Sequence, residues 1–399
     1  MNVTDVVNST HGAELMVTLA TFAGATTLEN VEGGVAATGG KGHPLAPPGC
    51  LTLEQGDFLP WDNPDNIVSR SADYWISTIL IGTIVLPVLF LLGVPGNVMS
   101  AAVFQRQGLR DRINLCLFTL ALADLLVVIS NVCLTAEKVY RDLVGFSGFF
   151  ITYFPGITGV TWVSQFLSAV IASERCFCVV SPFHAQKFLK TSTMAVFIFS
   201  MSAMLLGGML AIAGPKHTAV CMFDPETNNT KDIVYVTQYY QDNKEILDIF
   251  DVFFYATAFP AIFLVVVSVT TTITAVKLRQ ARLWRQTTAT TSTKTSENDK
   301  ENKNKLSSKE VALTKMLVAT SILFIICLVP ILMVQIATFL VKDLNYDGRY
   351  HNLTSVLWQC INTFRCLNSS LNFFIYFHMG SKFRDTLREI FRRCRRSKE

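Results

Sequence analysis

Asp124 stands in the middle of LFTLALADLLVVIS, a run with no other charged residue. A carboxylate is expensive to place among apolar side chains unless other groups satisfy it, so it needs partners elsewhere in the chain. Asn97 lies in a similar setting, GVPGNVMS. Further along, Thr161, Ser164, Ser168 and Arg175 recur at spacings of three, four and seven, which places them on one face of a helix. Asn362, Arg365, Asn368, Ser369, Asn372 and Tyr376 make a second stripe of the same kind. An aspartate, hydroxyls and amides meeting at one level could form an oxygen cage for a small hard cation. They could equally be a polar network that only holds helices together, and spacing alone leaves both readings open.

These stripes need helices to carry them. Of 399 residues, half are apolar and only 16% are charged, where a soluble chain would carry about a quarter. The shortfall is concentrated in long runs almost free of Asp, Glu, Lys and Arg. About 18 such residues suffice to cross a bilayer as a helix. Seven runs qualify: Tyr74–Phe104, Ile113–Leu134, Ser147–Val180, Thr193–Gly214, Ile246–Val276, Val311–Val341 and Leu353–Phe377. The expected fold is therefore an all-α membrane protein, a bundle of seven transmembrane helices spanning 74–380. The third and fifth runs are longer than a bilayer is thick and should tilt or project. Prolines at 87, 95, 260 and 330 are tolerable where neighbouring helices satisfy the freed carbonyls. In such spans an ionisable group costs roughly 2.5–3.5 kcal/mol at the centre, so the polar stripes must face the bundle interior.

Charge sets the orientation. Of 34 Lys and Arg, 22 lie in 105–112, 182–192, 277–310 and the tail from 382, against nine in 1–73 and the opposite loops. By the positive-inside rule the N-terminus is outside and the C-terminus cytosolic, as expected for a multi-pass protein of the plasma membrane. Acceptor motifs for N-glycosylation at Asn2, Asn8, Asn228 and Asn352 fall on the outer side. Residues 1–73 are polar and rich in Gly, Ala and Pro, and are expected to be a disordered extracellular tail. The patch Leu15–Ala25 lacks a basic leader, which leaves the first span as signal and anchor. The third cytoplasmic loop, 277–310, should be flexible at its centre and helical at its ends. Residues 381–399 place Phe383, Leu387, Ile390 and Phe391 on one face among arginines. That pattern reads as an amphipathic helix on the inner leaflet. Cys394 beside it is a palmitoylation candidate, or an unmodified thiol.

Taken in order, the sequence resembles the rhodopsin-like (class A) G-protein-coupled receptors. The resemblance is carried by GN at Gly96–Asn97, LALAD at Leu120–Asp124, ERC at Glu174–Cys176, Pro260, CLVP at Cys327–Pro330 and NSSLNFFIY at Asn368–Tyr376. It covers about residues 74–396, and ERCFCVVSPF is also similar to chemosensory receptors of molluscs. The resemblance implies an extracellular ligand, a heterotrimeric G protein, and downstream an arrestin and a receptor kinase. It implies a sodium site at Asp124, Ser164, Asn368, Ser369 and Asn372. It also implies an activation switch at Glu174, Arg175, Glu310, Leu328, Pro330, Asn372 and Tyr376, with Arg175 latched to Glu310 at rest. Lys277, Arg279, Arg282 and Lys309 flank the cleft where the partner would dock, although topology alone would place basic residues there. No cofactor beyond the sodium ion is expected, and no nucleic acid.

Departures from the family pattern sharpen the reading. Leu328 replaces its tryptophan in the sixth span, Phe373 its proline in the seventh, and the fourth span lacks its tryptophan. The cysteine expected at the outer end of the third span is absent, with Phe150 or a neighbour in its place. Cys221 therefore needs another partner, Cys133 or Cys50, unless it stays free or bonds another molecule.

The candidate ligand-lining residues are Ile157, Thr158, Thr161, Gln335, Trp358 and Arg365. Ile157 occupies the level where the amine receptors of the family carry an aspartate, which argues against a biogenic amine. No lysine lies near Arg365, so retinal could not form its Schiff base there. Arg365 itself could pair with an acidic group of a ligand, or with an internal partner such as Asp124 through water or Glu137. The ligand class, peptide or small chemosensory molecule, is left open.

Two other function classes are open to the sequence. A transporter or channel predicts inverted repeats or paired broken helices, and none are seen. A decoy receptor that binds without signalling is a further alternative. An enzyme is not expected, because the six histidines (11, 43, 184, 217, 351 and 378) are scattered through tails, loops and helix ends. The Thr/Ser cluster from Thr287 to Ser296 could accept phosphates or act as a polar linker.

Overall fold

Apolar runs in this chain become helices because a helix satisfies every backbone N–H and C=O within its own segment. The computed structural model describes residues 50–52, 60–143, 155–188, 190–224, 229–291, 297–344 and 348–396. The first long helix, α1, runs Arg70–Gln107. The Ser69 hydroxyl caps its start by accepting from the Ala72 N–H at 3.2 Å. Residues Tyr74–Val85 of it are wound as a π-helix, and the α-helical pitch resumes at Leu86 beside Pro87.

The remaining helices follow in order: α2 (Arg112–Leu143), α3 (Val160–Val180), the short α4 (Pro182–Phe188) and α5 (Thr191–Ala213). After a hairpin come α6 (Gln238–Asp242) and α7, in which Lys244–Asp248, a π-helical Ile249–Ala258 and Phe259–Thr291 run on as one helix. Last are α8 (Glu297–Leu340), α9 (His351–Met379) and α10 (Ser381–Arg396).

Among the described residues, six helices are long and apolar enough to cross a membrane: those at Arg70–Gln107, Arg112–Glu137, Val160–Val180, Thr191–Ala213, Lys244–Ala281 and Val311–Leu340. The seventh, α9, has the length, at 29 residues, but its polar stripe dilutes its apolarity. It packs between α1, α2 and α8, while α3 is surrounded by α2, α5, α7 and α8. The fold is thus a helical membrane bundle, with its two polar stripes on helices that each pack against three or more neighbours. Between membrane helices there is little hydrophobic drive, so close approach of small residues matters. Gly96 is such a place: a Cβ there would lie 2.9 Å from the Phe373 Cβ of α9.

The expected boundaries need corrections. The third span was expected over Ser147–Val180, but α3 begins only at Val160, after a 3-10 turn at Pro155–Gly159. With 21 residues it fits the bilayer without projecting. The second span, expected to end at Leu134, continues to Leu143. On α10, Phe383 and Leu387 are buried in the bundle core, with Phe383 against the rings of Phe104 and Tyr376. Only Phe391, 58% exposed, is left for lipid, so this helix docks on protein first.

The N-terminal tail is not unstructured throughout. Leu51–Thr52 form β1, parallel to β2 (His217–Asp224), which pairs antiparallel with β3 (Asn229–Val236). Next to this sheet Cys50 and Cys221 form a disulfide, whereas Cys133 is a free thiol.

A second tie fastens the lead-in of α1 to the start of α9. Asn352 Nδ2 donates to Trp61 O (3.0 Å) and Val68 O (2.9 Å), and its backbone N–H donates to Asn66 Oδ1 (3.1 Å). Arg349 pairs with Asp65 at 3.3 Å, and the Trp61 and His351 rings meet edge to face.

Asn352 is therefore committed to packing in this fold. Its side chain is 1% exposed and both amide hydrogens are engaged. The motif is present, but burial removes it from reach. Asn2, Asn8 and Asn228 lie outside the described residues. Replacing Asn352 with Gln should leave the glycosylated mobility on a gel unchanged. It should also cost about 1–2 kcal/mol of stability through two orphaned, partly buried carbonyls, readable as a lowered Tm of the purified protein.

Candidate functional site

The stripes of α3 and α9 converge on Asp124 of α2. Ser164 Oγ and Ser369 Oγ donate to its Oδ1 at 2.6 and 2.9 Å, and Asn372 Nδ2 donates to Oδ2 at 2.8 Å. Asn97 of α1 buttresses the cluster by donating to Ser369 O at 2.9 Å, so three helices meet on one carboxylate and a fourth braces them. Hydrogen bonds to a charged group contribute roughly 1.5–3 kcal/mol each, enough to offset the burial of Asp124. The donor set is all oxygen and amide, the kind a small hard cation accepts.

Two cavities extend from this point. The inner one, with room for about one water-sized group, is lined by Thr161, Ser164, Gln165, Leu328, Arg365 and Ser369 among others. The second, smaller still, runs from Phe324 and Asn368, which it shares with the first, past Ser168 and Asn372 to Tyr376. Tyr376 is buried edge-on against Phe104, 5.4 Å between centroids. A polar axis therefore connects Arg365 to Tyr376 through the Asp124 cluster.

Arg365 is 5% exposed. Its guanidinium lies over the rings of Trp162 (5.6 Å) and Trp358 (5.4 Å) and reaches Asn362 Oδ1 only at 3.4 Å. Its Nε has no hydrogen-bond partner. Neither Asp124 nor Glu137, the internal partners the sequence suggested, forms an ion pair with it. Contacts with two indoles offset on the order of 1–2 kcal/mol each, less than the several kcal/mol of removing a cation from water.

At the other end of α3, Glu174 is gripped from two sides. Arg175 donates to both its oxygens, the Nη2 bond being 2.7 Å, and Arg112 Nε approaches to 3.4 Å. Arg112 also donates to Ala185 O of α4 at 3.0 Å and to Cys178 Sγ at 3.4 Å. Arg175 is thus held by its own neighbour. The latch expected from Glu310 involves a side chain outside the described ones, as do Arg282 and Lys309.

Of the expected pocket residues, Thr161 and Arg365 border the inner cavity together. Gln335 is buried with its Oε1 unpartnered, and Trp358 reaches the site through Arg365. Thr158 is half-buried, while the side chains of Ile157 and Cys394 lie outside the described ones. Sequence reasoning missed Trp162, Gln165 and Arg112. Trp162 and Gln165 flank the α3 stripe by one residue and had no periodic signal of their own. Arg112 was absorbed into the positive-inside count.

A helical membrane bundle with a buried acidic hub and an arginine pair at one end of its central helix has the build of a transmembrane signalling receptor. The family model described as 7 transmembrane receptor (rhodopsin family) matches residues 96–376, and the chain belongs to that family. No curated protein matches it.

Proposed function

We propose that this chain is a plasma-membrane receptor, N-terminus outside, that binds an extracellular ligand and activates a heterotrimeric G protein. The observation that carries the reading is the polar axis, which links a cavity between α2, α3, α8 and α9 to Tyr376. A ligand entering from outside would alter packing around Leu328 and Arg365, and the hydrogen bonds of Asp124 would carry the change to α9. Asp124, Ser164, Asn368, Ser369 and Asn372 would hold a sodium ion in the resting state. Lys277 and Arg279 at the inner end of α7 would face the G protein. The Thr287–Ser296 cluster would take phosphates from a receptor kinase and recruit an arrestin. Nucleotide exchange on a panel of purified G proteins, with a library of peptides and organic acids, tests the reading. Absence of exchange with any ligand that binds would leave a decoy.

The grip on Glu174 makes a sharper expectation. Substituting Glu174 with Gln removes the charge that holds Arg175 and Arg112, worth about 1.4 kcal/mol between states for a pair this enclosed. Ligand-free nucleotide exchange should rise about tenfold. Unchanged basal exchange with normal surface expression would show that the pair does not restrain the receptor.

A further inference from the structure

We infer that Arg365 is the anchor of a monoanion seat inside the bundle, directly above the Asp124 cluster. Its guanidinium is more than nine-tenths buried, borders the inner cavity, and forms no ion pair among the described residues. Its Nε points no hydrogen at any acceptor, and the Thr161 hydroxyl on the same cavity wall is also without a partner. Two unengaged donors on one cavity, one of them charged, are the complement of a small anion. Gln165 borders the same space with its Oε1 unpartnered, and turning its amide over presents a third donor.

The indoles of Trp162 and Trp358 hold the guanidinium plane in place but supply no counter-charge. Asp124 cannot supply it either, since its oxygens are taken by Ser164, Ser369 and Asn372. Leu328 contributes only apolar wall. The cavity is too small for a whole drug-sized ligand, so what fits is a single anionic group, either a chloride ion or the carboxylate of a ligand whose remainder lies further out. Only the second source rests on the receptor reading.

The test uses the full-length receptor purified in lipid nanodiscs. Thermal unfolding is followed while chloride replaces isethionate, a bulkier monoanion, at constant sodium. It is followed again with a series of short-chain and aromatic monocarboxylates, and nucleotide exchange is recorded in parallel. A saturable rise in Tm of on the order of 5 °C is expected. The rise should vanish in Arg365→Gln, and its midpoint should move about tenfold higher in Thr161→Val.

If chloride gives the rise and carboxylates only compete with it, the seat belongs to an ion. If carboxylates give the rise and also drive exchange, it takes the acidic end of the agonist. Should Arg365→Gln fail to fold, Thr161→Val still reports on the seat with the charge in place. No saturable rise with either anion, or a rise undiminished in both variants, overturns the inference. A Tm response without any exchange would count against the receptor reading and leave the seat standing. Exchange without a Tm response would do the reverse.

Discussion

Asparagine in place of Asp124 is expected to reduce agonist-stimulated nucleotide exchange at least tenfold and to remove its dependence on sodium. The carboxylate is acceptor-only and receives three bonds, two hydroxyls on Oδ1 and the Asn372 amide on Oδ2. An amide in the same position offers one acceptor and one donor. Whichever way it turns, an N–H faces either the Asn372 donor or the two hydroxyls. The hydroxyls can rotate to accept, so the cheaper arrangement keeps Asn372 satisfied, but every bond loses its charge assistance. Three such losses come to about 2–4 kcal/mol, enough to shift a two-state equilibrium by more than tenfold. Because the hub joins α2, α3 and α9, the loss should fall on the coupling between cavity and cytoplasmic face. Exchange should therefore suffer more than ligand affinity, which a radioligand or fluorescence assay on the same preparation would measure. Wild-type exchange with an unaltered sodium response would remove Asp124 from the switch.

The largest stability effect should come from Gly156. It lies in the 3-10 turn Pro155–Gly159 that starts α3, pressed against α5. A Cβ at this position would stand 2.6 Å from the Leu210 Cα. The obstacle is backbone, so no rotamer change relieves it, and α5 must shift by most of an ångström. Gly159, one turn on, has its own tight approach to Met209, 2.8 Å from the Cβ position, which blocks a compensating roll. Gly156→Ala should cost about 3 kcal/mol, the upper end of overpacking penalties. In detergent it should appear as a Tm lowered by several degrees and a reduced yield of monodisperse protein. A Gly156→Ala protein as stable as the parent would mean that α3 and α5 are not in register as described.

Some of this architecture can be read along the chain because it depends on local pattern. The apolar runs become helices wherever the backbone has no water to bond to. The residues that cannot face lipid, Asp124 and the stripes on α3 and α9, point inward for the same reason. Even so, the start of α3 escaped that reading. Ser147–Pro155 is as apolar as a span, so a count of hydropathy runs through it, and the one local signal of the turn is the Pro155–Gly156 pair with Gly159. The π-helical stretches in α1 and α7 are likewise invisible to a count of hydropathy.

Pairings between distant residues are a different matter, because they depend on how each helix is rotated and where it crosses its neighbours. Cys221 had two candidate partners on equal terms, and only the sheet that brings Leu51 beside Met222 selects Cys50 over Cys133. Asn352 carries a sugar-acceptor motif, yet packing turns its amide into the fastening of α1 to α9. Arg365 could have met Asp124 or Glu137. Instead the bundle sets it over two indoles, facing a cavity with its charge unanswered. Helix, span and inward face follow from short-range chemistry that each segment carries alone, whereas partners and cavities exist only once seven helices share one volume.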